Sequence, residues 1–433
     1  MSLFYINNRR HCKSHQFCSW RQRDSSIALF DFATTNRDLN DFQELKTGTR
    51  NSSSSSLRMS VTVEEEIFGL AKNPYTKAPE MVRRFTMTNP NQMSVSVIQL
   101  GAIIQSVRMP DAYQKIEDIC LGFEDIASYM STRSAYIGGT LGRVANRVAN
   151  GEYSVGEKVY KLTKNFKNTY QLHGGFVGFD SVIWEVVHKS DLGITFRHVS
   201  PDGDEGYPGR LTTTITYWLD NHNRLGVRYE AYTDKTTAVN LSNHAYFNLA
   251  GHAAGPKGLA EHTVEILSKK IVETDDAQIP TGKLVSVDDT VFDMRIPVLL
   301  GDRLKQFDNH LIKGYDNCFV VNEGKDSGTN LVAKLQHKPS GRAMEIYTNQ
   351  PGLQFYTANN LPDEVNGDSP MIGKECTHYR KHGSFCVETE KFPDSMNHPE
   401  FPSIFLNPGE KYFHEVIYKF NIEESWKCCC NNK

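Results

Sequence analysis

The sequence predicts an all-β protein, built as one large antiparallel β-sandwich with few short helices. Three observations favour this class. Through most of the region from residue 65 to residue 421, apolar side chains alternate with polar ones at a period of two. Short turn sequences rich in Asn, Asp, Gly and Pro separate the alternating runs. Aromatic residues make up 11% of the chain, with 19 Tyr and 23 Phe, and this composition favours strands over a helical bundle.

The first clear alternation in chain order lies at residues 93–97, where Met and Val alternate with Ser. A longer run at 211–219 places Leu, Thr, Ile and Tyr on one parity, and the run at 225–231 continues that parity after a turn at 220–223. Two alternating runs around a turn of Asp, Asn and His predict a β-hairpin, because such turn residues reverse the chain at little steric cost.

A second hairpin is predicted nearer the carboxyl terminus. Its first strand covers 331–335, its turn is the Lys-Pro-Ser-Gly segment at 338–341, and its return strand covers 344–346. The last alternating run, at 412–420, predicts the final strand. The pattern therefore indicates strands paired with their neighbours in sequence, as in an antiparallel sandwich.

Helical periodicity is scarce, so only short helices are expected, for example at 123–129 and 298–306. Connections rich in Gly, Pro and Asp interrupt the strands at 201–209 and 359–379. We expect these connections to lie over one rim of the sheet, where binding sites are common.

The chain divides by composition into three regions, 1–58, 59–421 and 422–433. The first region is basic early and then rich in Ser, which is typical of a disordered leader; an organelle-targeting peptide is the alternative, which its acidic residues weaken. Met59 is a possible second translation start. The second region has neither an internal repeat nor a linker, so it is predicted as one β-sandwich domain, and the last region as a flexible Cys-rich tail containing residues 428–430.

The leader contains one spacing that a zinc ion accepts, formed by His11, Cys12, His15 and Cys18. No apolar core surrounds these residues to fix a tetrahedral geometry, so we expect no metal site there and no cofactor in the protein. Nine cysteines without a regular framework indicate reduced thiols rather than structural disulfides.

The formal charge of -3 and the pI near 6.6 argue against nucleic acid and anionic membrane as partners, because neither value gives an excess of cations for phosphates. No apolar run approaches the ~18 to 20 residues that span a bilayer, and the first 30 residues lack the apolar core of a secretory signal. We therefore expect a cytoplasmic protein that binds a small neutral ligand, as a monomer, with a weak dimer as the alternative.

One histidine lies in a setting that suits acid/base chemistry. His244 stands in the segment 240–248, which alternates polar with apolar residues, so its ring is expected to project from a strand on the same side as Tyr246. Imidazole is a natural proton donor near neutral pH because its unperturbed pKa lies close to that pH. For such a residue alone, a satisfied structural histidine is the alternative.

Glu388 is the matching carboxylate. Glu390 follows two residues later, and side chains two apart on a strand point the same way, so that one carboxylate raises the pKa of the other. A solvated surface acid is the alternative for this residue alone. An imidazole and a carboxylate that face each other across a pocket can donate a proton at one atom and remove one at another, which is what opening a cyclic sugar requires.

Five further residues have the chemistry of hydroxyl recognition. His173 precedes two glycines, which let a ligand approach the backbone closely. Asn146 and Arg147 offer an amide and a fork of donors. Asp316 can accept hydrogen bonds from two hydroxyls, and Gln350 can both donate and accept. Each also has an ordinary interpretation as a turn or capping residue.

Taken together and in order, six segments resemble motifs of the aldose 1-epimerase family across nearly all of residues 65–421. The segments are 142–151, 172–175 with 178–180, 204–209, 240–248, 350–352 with 354–356, and 387–394. The resemblance implies a large antiparallel β-sandwich whose concave face binds an aldohexose such as galactose or glucose. It also implies an isomerase that interconverts the α and β anomers without a cofactor or a metal.

By that resemblance, His244 is the general acid that protonates the ring oxygen, and Glu388 is the general base that takes the proton from the anomeric hydroxyl. The ring opens to an aldehyde, rotates about the bond between its first two carbons, and closes on the other anomer. The side chains that position the sugar are implied to be Asn146, Arg147, His173, Tyr246, Asp316 and Gln350.

Three departures from the family pattern stand out: Ala245 lies where the family often has a small hydroxyl residue, the loop at 361–379 is longer than usual, and the leader before Met59 has no counterpart in the family pattern. Three other functions would use a similar pocket. A glycoside hydrolase or lyase normally needs two carboxylates flanking the bond, a sugar sensor would lack one proton carrier, and an epimerase of phosphorylated sugars would need a basic cluster. The presence of both His244 and Glu388 favours the aldose 1-epimerase, with the preference between galactose and glucose left open.

Overall fold

A computed structural model of the chain describes residues 60–323 and 328–423. The predicted leader 1–58, with its candidate zinc spacing, and the cysteines at 428–430 lie outside the described residues. The predicted domain boundaries therefore stay predictions.

The described part of the chain is dominated by short strands. In chain order they are β1 Thr62–Lys72, β2 Pro79–Thr88, β3 Ser94–Ile98, β4 Ile103–Pro110, β5 Ile116–Asp118, β6 Thr140–Leu141, β7 Arg147–Val148, β8 Glu152–Val155, β9 Lys158–Lys161, β10 Gln171–Leu172, β11 Glu185–Ser190, β12 Gly193–Ser200, β13 Leu211–Leu219, β14 Arg224–Thr233, β15 Thr237–Ala238, β16 Ser242–Asn243, β17 Tyr246–Phe247, β18 His262–Ile266, β19 Lys270–Thr274, β20 Pro280–Ser286, β21 Val298–Leu299, β22 Asp316–Val320, β23 Asn330–His337, β24 Arg342–Thr348, β25 Gly352–Tyr356, β26 Met371–Ile372, β27 His378–Tyr379, β28 Phe385–Glu390, β29 Phe405–Leu406 and β30 Tyr412–Ile422. The α-helices are α1 Ile126–Ser131, α2 Gly255–Ala260 and α3 Leu300–Leu304. Single 3₁₀ turns are Arg133–Ala135, Ala149–Gly151, Phe179–Ser181, Asp204–Gly206, Lys305–Asn309, Glu364–Asn366 and Lys374–Cys376.

Three sheets contain most of these strands. A five-stranded sheet has the sequential order β1-β2-β3-β4-β5, a nine-stranded sheet the order β11-β12-β13-β14-β30-β24-β23-β18-β21, and a six-stranded sheet the order β17-β28-β25-β22-β19-β20. Neighbouring strands run antiparallel in all three. The predicted all-β antiparallel class, with few short helices, is confirmed.

Both predicted hairpins form. Strands β13 and β14 pair in unbroken register from Leu211 opposite Thr233 to Leu219 opposite Leu225, and Asp220 accepts backbone hydrogen bonds that close the turn. Strands β23 and β24 form the second hairpin, with one register shift. The final strand β30 lies between β14 and β24 and so joins the two hairpins into one sheet.

The short helices lie close to the predicted positions, with shifted boundaries. Helix α1 begins after Asp125, whose side chain accepts a hydrogen bond from the Ser128 N–H and so caps the helix. Phe123, at the predicted start, instead packs edge-on against Tyr129 with ring centroids 5.0 Å apart. Across the described residues, every helix is too short or too polar to cross a membrane.

The nine-stranded and six-stranded sheets pack against each other around the main apolar core. Phe247 on β17 lies 5.6 Å from the ring of Tyr418 on β30. Thr389 on β28 hydrogen-bonds His414 of β30, with 2.8 Å between Oγ1 and Nε2. The pairing of side chains from the two inner faces is the packing expected of a sandwich.

Strand β28 separates this core from the opposite face of the six-stranded sheet. Its residues 385, 387 and 389 face the core, since Val387 and Phe385 belong to the core cluster and position 389 bonds to β30. Cys386, Glu388 and Glu390 therefore point to the other face. All six residues are nevertheless buried, so other segments must cover that second face.

Candidate active site

Three neighbouring strands of the six-stranded sheet place polar side chains in a row on the covered face. Glu388 on β28 lies opposite Gln354 on β25 in register. On the next strand, β22, the Asp316 carboxylate accepts a hydrogen bond from Gln354 Nε2 at 2.6 Å. Glu388 and Gln354 are at registered positions, and Asp316 lies diagonally across from Gln354, so the sheet itself fixes the spacing of this row.

His244 lies against this row from a connection between β16 and β17. Two backbone hydrogen bonds hold it, one donated to Gly139 O and one accepted from Gly138 N. Its Nε2 atom lies 3.7 Å from Glu388 Oε1, and its Nδ1 atom lies 3.4 Å from the Sγ atom of Cys386. The structure thus brings together the two predicted proton carriers, with one imidazole nitrogen engaged and the other directed at the carboxyl.

Aromatic rings fix the plane of the His244 imidazole. Tyr246 stacks on it with centroids 4.8 Å apart, and Tyr356 meets it edge-on at 5.9 Å. The Tyr246 hydroxyl donates a hydrogen bond to Ala135 O at 2.9 Å. Tyr246 therefore packs against the imidazole of His244 and holds its orientation. A direct contact of the Tyr246 hydroxyl with a sugar stays a prediction.

His173 lies beside His244, with 5.4 Å between the centroids of the two rings. Its Nδ1 atom accepts a hydrogen bond from the Asn146 N–H at 3.1 Å, which leaves Nε2 free to face the site. Gly174 follows in the left-handed region, with φ of +90°, and a Cβ atom there would lie 1.8 Å from Gly142 O. The glycine lets this loop lie directly on the backbone of the segment that contains Asn146.

A hydrogen-bond chain connects the remaining predicted ligands. The Asn146 side chain donates to Glu390 Oε1 at 2.9 Å and accepts from Arg147 Nη1 at 3.2 Å. Arg147 Nη2 lies 3.2 Å from Asp316 Oδ2 and donates to Gln278 Oε1 at 2.8 Å. The guanidinium is thereby held at the floor of the site, with its charge facing a carboxylate.

The neighbouring Arg143 has a structural role instead. It is buried, and its guanidinium donates to Ser200 Oγ at 2.8 Å and to the carbonyl oxygens of Ser200, Pro201 and Pro208. These bonds anchor the connection at 201–209, whose Glu205 in turn accepts from the backbone N–H groups of the loop after His173.

Burial sets the protonation of the two proton carriers. It lowers the pKa of His244 to about 4, although the nearby Asp316 carboxylate opposes this. Burial also raises the pKa of Glu388 well above its ordinary value, and the Glu390 and Asp316 carboxylates raise it further. Despite the 3.7 Å separation of the two groups, these pKa shifts favour a neutral imidazole and a protonated carboxyl over an ion pair.

The structure differs from the sequence prediction at one glutamine. Gln350 precedes β25, and its amide donates to Asn349 at 2.9 Å while its backbone carbonyl accepts from Asn322. None of these contacts involves Glu388 or Asp316, and a contact of Gln350 with a sugar stays a prediction. Gln354, within the strand and on the correct face, occupies the place expected for Gln350, because β25 begins only at Gly352.

Sequence reasoning also missed Gln278, which links Arg147 to Asp316 by donating to Asp316 Oδ2 at 2.7 Å. It lies in a turn between β19 and β20 without a recognisable motif, so nothing in the pattern marked it. Gln278 and Asp316 also line a cleft beside the site, together with Phe292, Phe307 and His310.

Three side chains of this site could hold a metal ion. Ligand atoms of His173, His244 and Glu388 lie within 4.8 Å of one another among the described residues. Two imidazoles and a carboxylate are donors that Zn²⁺ accepts. The expected absence of a metal therefore stays a prediction.

Comparison with known proteins identifies the family. The family model described as aldose 1-epimerase matches residues 83–419. The chain belongs to the aldose 1-epimerase family. It is 41% identical to galactose mutarotase of Mus musculus over 341 residues, which are 79% of this chain and 94% of that protein. It is 34% identical to aldose 1-epimerase of Escherichia coli over 344 residues, 79% of this chain and 96% of that protein.

Solved structures agree with this membership of the aldose 1-epimerase family. An aldose epimerase homologue from C. elegans superposes with a TM-score of 0.70 at 30% identity, covering 78% of this chain and 98% of that one. Galactose 1-epimerase from Lactobacillus acidophilus gives a TM-score of 0.69 at 26% identity, covering 84% of this chain and all of that one. The predicted family, and the carbohydrate epimerase class that comes with it, are confirmed.

Proposed function

We propose that the protein interconverts the α and β anomers of D-galactose and D-glucose by opening and reclosing the sugar ring. The observation that carries this proposal is the 3.7 Å approach of His244 Nε2 to Glu388 Oε1 within a buried cluster of polar side chains. The relatives named galactose mutarotase and aldose 1-epimerase support the same reaction.

In the proposed reaction, the sugar lies against both groups, with its anomeric hydroxyl at Glu388 and its ring oxygen at His244. Glu388 takes the proton from the anomeric hydroxyl as His244 gives one to the ring oxygen, and the bond between the anomeric carbon and the ring oxygen breaks. The resulting aldehyde rotates about the bond between its first two carbons. His244 then removes the proton from the former ring oxygen, Glu388 returns one to the carbonyl oxygen, and the opposite anomer forms.

The neutral pair that the pKa shifts of His244 and Glu388 favour is the state that ring opening produces and ring closure uses. It differs from imidazolium and carboxylate by the position of one proton, so neither form changes the total charge of the site. Sugar hydroxyls that donate to ionised Glu388 would lower the pKa of its carboxyl and favour the form that opens the ring. Alternation between the two forms completes one turnover without net proton uptake.

Asn146, Arg147, His173, Asp316 and Gln354 are proposed to hold the sugar by its hydroxyls. Their side chains offer both hydrogen-bond donors and acceptors, as amide, guanidinium, imidazole and carboxylate groups. The only site cation among these residues is Arg147, and it already pairs with Asp316 at 3.2 Å. This charge balance favours a neutral sugar over a phosphorylated one.

Polarimetry of freshly dissolved α-D-galactose and α-D-glucose tests the proposal. The wild type is expected to accelerate the change in optical rotation, and Glu388→Gln and His244→Asn are expected to abolish most of that acceleration. His222→Asn, in the exposed turn after β13, is a matched control that should retain full activity. A wild type no faster than buffer would favour a sugar sensor, and active Glu388→Gln and His244→Asn variants would contradict the assigned roles.

We also propose that the β-sandwich domain 59–421 is sufficient for the activity and that the protein acts as a cytoplasmic monomer. The family match begins only at residue 83, which supports a dispensable leader. The activity of a chain that starts at Met59 tests whether the domain is sufficient. Size-exclusion chromatography tests the monomeric state, and microscopy of the full chain tests the cytoplasmic location.

A further inference from the structure

Tyr136 contacts both histidines of the site, and neither the sequence pattern nor the proposed mechanism uses it. Its ring lies nearly parallel to the His244 imidazole, with 6.1 Å between the two centroids and 19° between the two planes. The same ring meets the His173 imidazole edge-on, with the centroids 4.6 Å apart. One aromatic side chain therefore lies against both the proposed proton donor and a proposed sugar ligand.

The short segment 136–139 also holds His244 through its backbone. The N–H of Gly138 donates a hydrogen bond to His244 O at 2.9 Å, and the His244 N–H donates one to Gly139 O at 2.8 Å. Because the ring of Tyr136 projects from this same segment, these two hydrogen bonds also restrict where the ring lies relative to the imidazole.

Asn165 joins the Tyr136 hydroxyl to the loop that contains His173. Its Nδ2 atom donates to the carbonyl oxygens of Leu172 at 2.9 Å and of Gly175 at 3.0 Å, which lie on either side of the histidine. The same amide lies 3.4 Å from the Tyr136 hydroxyl, as a longer hydrogen bond. The tyrosine thus contacts the His173 loop through its hydroxyl as well as through its ring.

The backbone of Tyr136 lies in the left-handed region, with φ of 53° and ψ of 28°. A bulky residue rarely adopts this conformation, which glycine and asparagine tolerate better. Strained residues of this kind persist where the surrounding structure holds them, and they are concentrated at functional sites. Glycine or asparagine would relieve the strain here but would not supply a ring, so the conformation supports a role for the ring.

We propose that Tyr136 is a positioning residue whose ring keeps the His173 and His244 imidazoles at one separation, now 5.4 Å between centroids. His173 is proposed to hold the sugar and His244 to protonate its ring oxygen, so this separation sets the distance of proton transfer. A misplacement of about 1 Å can slow such a reaction about 10²-fold. The effect on the rate rests on the proposed function, whereas the effect on the geometry does not.

Three variants separate the ring of Tyr136 from its hydroxyl and from folding. Tyr136→Phe keeps the ring and removes the hydrogen bond with Asn165. Tyr136→Leu removes the ring. Tyr136→Asn also removes the ring, and it should fold more readily because asparagine tolerates the left-handed region. Tyr347→Leu is the matched control, because Tyr347 on β24 is also partly exposed and its hydroxyl donates to Glu345, outside the site.

Steady-state polarimetry measures kcat and KM for each variant. Tyr136→Leu and Tyr136→Asn should lower kcat by about 10- to 10²-fold and change KM by less than about threefold, because the side chains that bind hydroxyls remain. Tyr136→Phe and Tyr347→Leu should retain kcat within about twofold of the wild type, because both keep the ring of Tyr136. A rise in KM at unchanged kcat would show that the ring only binds the sugar, and it would overturn the proposal. Unchanged constants in both variants without the ring, or an equal loss of kcat in Tyr136→Phe, would also overturn it.

Crystal structures of the wild type, Tyr136→Asn and Tyr347→Leu give a readout that is independent of catalysis. In Tyr136→Asn we expect the His173 imidazole to move by about 1 Å or more relative to that of His244, whereas Tyr347→Leu should leave both rings in place. If the two imidazoles keep their separation in Tyr136→Asn, the proposal fails, whatever the activity. If they move apart while the wild type does not accelerate mutarotation, the proposed function fails and the positioning role of Tyr136 stands.

Discussion

Two buried charged clusters of this protein differ in how completely their polar atoms are paired. In the first, Lys374 Nζ donates to Asp118 Oδ2 at 2.6 Å and to the carbonyl oxygens of Gln105 and Cys120 at 2.8 Å each. In the second, Glu388 and Glu390 each leave one oxygen without a partner. The first cluster is complete and therefore structural, whereas the second leaves its unpaired atoms available for a substrate.

The pairing in the first cluster extends to both partners. Asp118 accepts additional hydrogen bonds from Ser106 Oγ and from the backbone N–H groups of Val107 and Cys120. Lys374 lies in the long connection at 359–379, so this ion pair fixes that connection to the five-stranded sheet. A buried charge thus contributes to stability where all of its donors and acceptors are paired. Where some of them are unpaired, those atoms remain available to a substrate.

Among the substitutions considered, the largest loss of activity is expected at Glu388, in the incompletely paired cluster. Glu388→Gln should reduce kcat by about 10²- to 10⁴-fold, because it removes the proton acceptor. It should change the free energy of unfolding by less than about 1 kcal/mol, because it keeps the shape and removes a potential buried charge. Polarimetry and urea denaturation measure the two quantities. A large loss of stability would show that the carboxyl is structural.

The complete cluster should respond in the opposite way. Lys374→Met should lower the free energy of unfolding by about 3 to 5 kcal/mol, because it leaves Asp118 buried without its cation. The kcat of the folded protein should stay close to that of the wild type. Lys381→Met is the matched control, because it removes a more exposed ion pair with Asp363, which lies in that connection. It should lower the free energy of unfolding by less than about 1 kcal/mol.

A smaller effect is expected where two glutamines are compared. Gln354→Leu should raise KM about 10-fold, because Asp316 loses a donor at 2.6 Å that orients its carboxylate. Gln350→Leu, an equally buried control, should leave KM nearly unchanged. Steady-state polarimetry of both variants decides between them, and the reverse result would restore the original assignment of Gln350.

The smallest effect is expected at Cys386. Burial raises the pKa of its thiol well above the ordinary value, so the sulfur stays in a neutral thiol that can accept a hydrogen bond from His244 Nδ1–H, which leaves Nε2 to exchange the proton with the ring oxygen. Cys386→Ala should reduce kcat several-fold, whereas Cys386→Ser should retain most of it, since a hydroxyl oxygen can accept a hydrogen bond from the same nitrogen. Equal losses in both variants would contradict a role for this hydrogen bond.

The sequence pattern predicted much of this architecture because strand alternation is local. The run at 211–219 and its return at 225–231 needed only parity and a turn to be recognised as a hairpin. The shared direction of Glu388 and Glu390 followed from the same period of two. The order of the motifs predicted the family, and the structure then placed His244, Asn146, Arg147, His173 and Asp316 around Glu388.

Other features depend on contacts far apart in the chain, which no local pattern contains. Asn146 and Glu390 are 244 residues apart and meet only because β28 and the segment before β7 converge. Gln350 and Gln354 have the same parity, so the pattern alone could not show that β25 begins only at Gly352 and contains Gln354 but not Gln350. The composition of the connection around Lys374 predicts a polar, exposed segment. Lys374 is nevertheless buried, because its partner Asp118 lies at the end of β5.

Strand β28 is packed on both faces over its whole length, and this restricts which genetic changes it can accept. A single inserted codon upstream of Glu388 within the strand would exchange the two faces. If the residues before the inserted one keep their places, Glu388 and Glu390 turn toward the apolar core and Thr389 turns toward the opposite face. Substitutions at single positions leave a measurable protein, but we expect a one-residue insertion in β28 to remove folding and catalysis together.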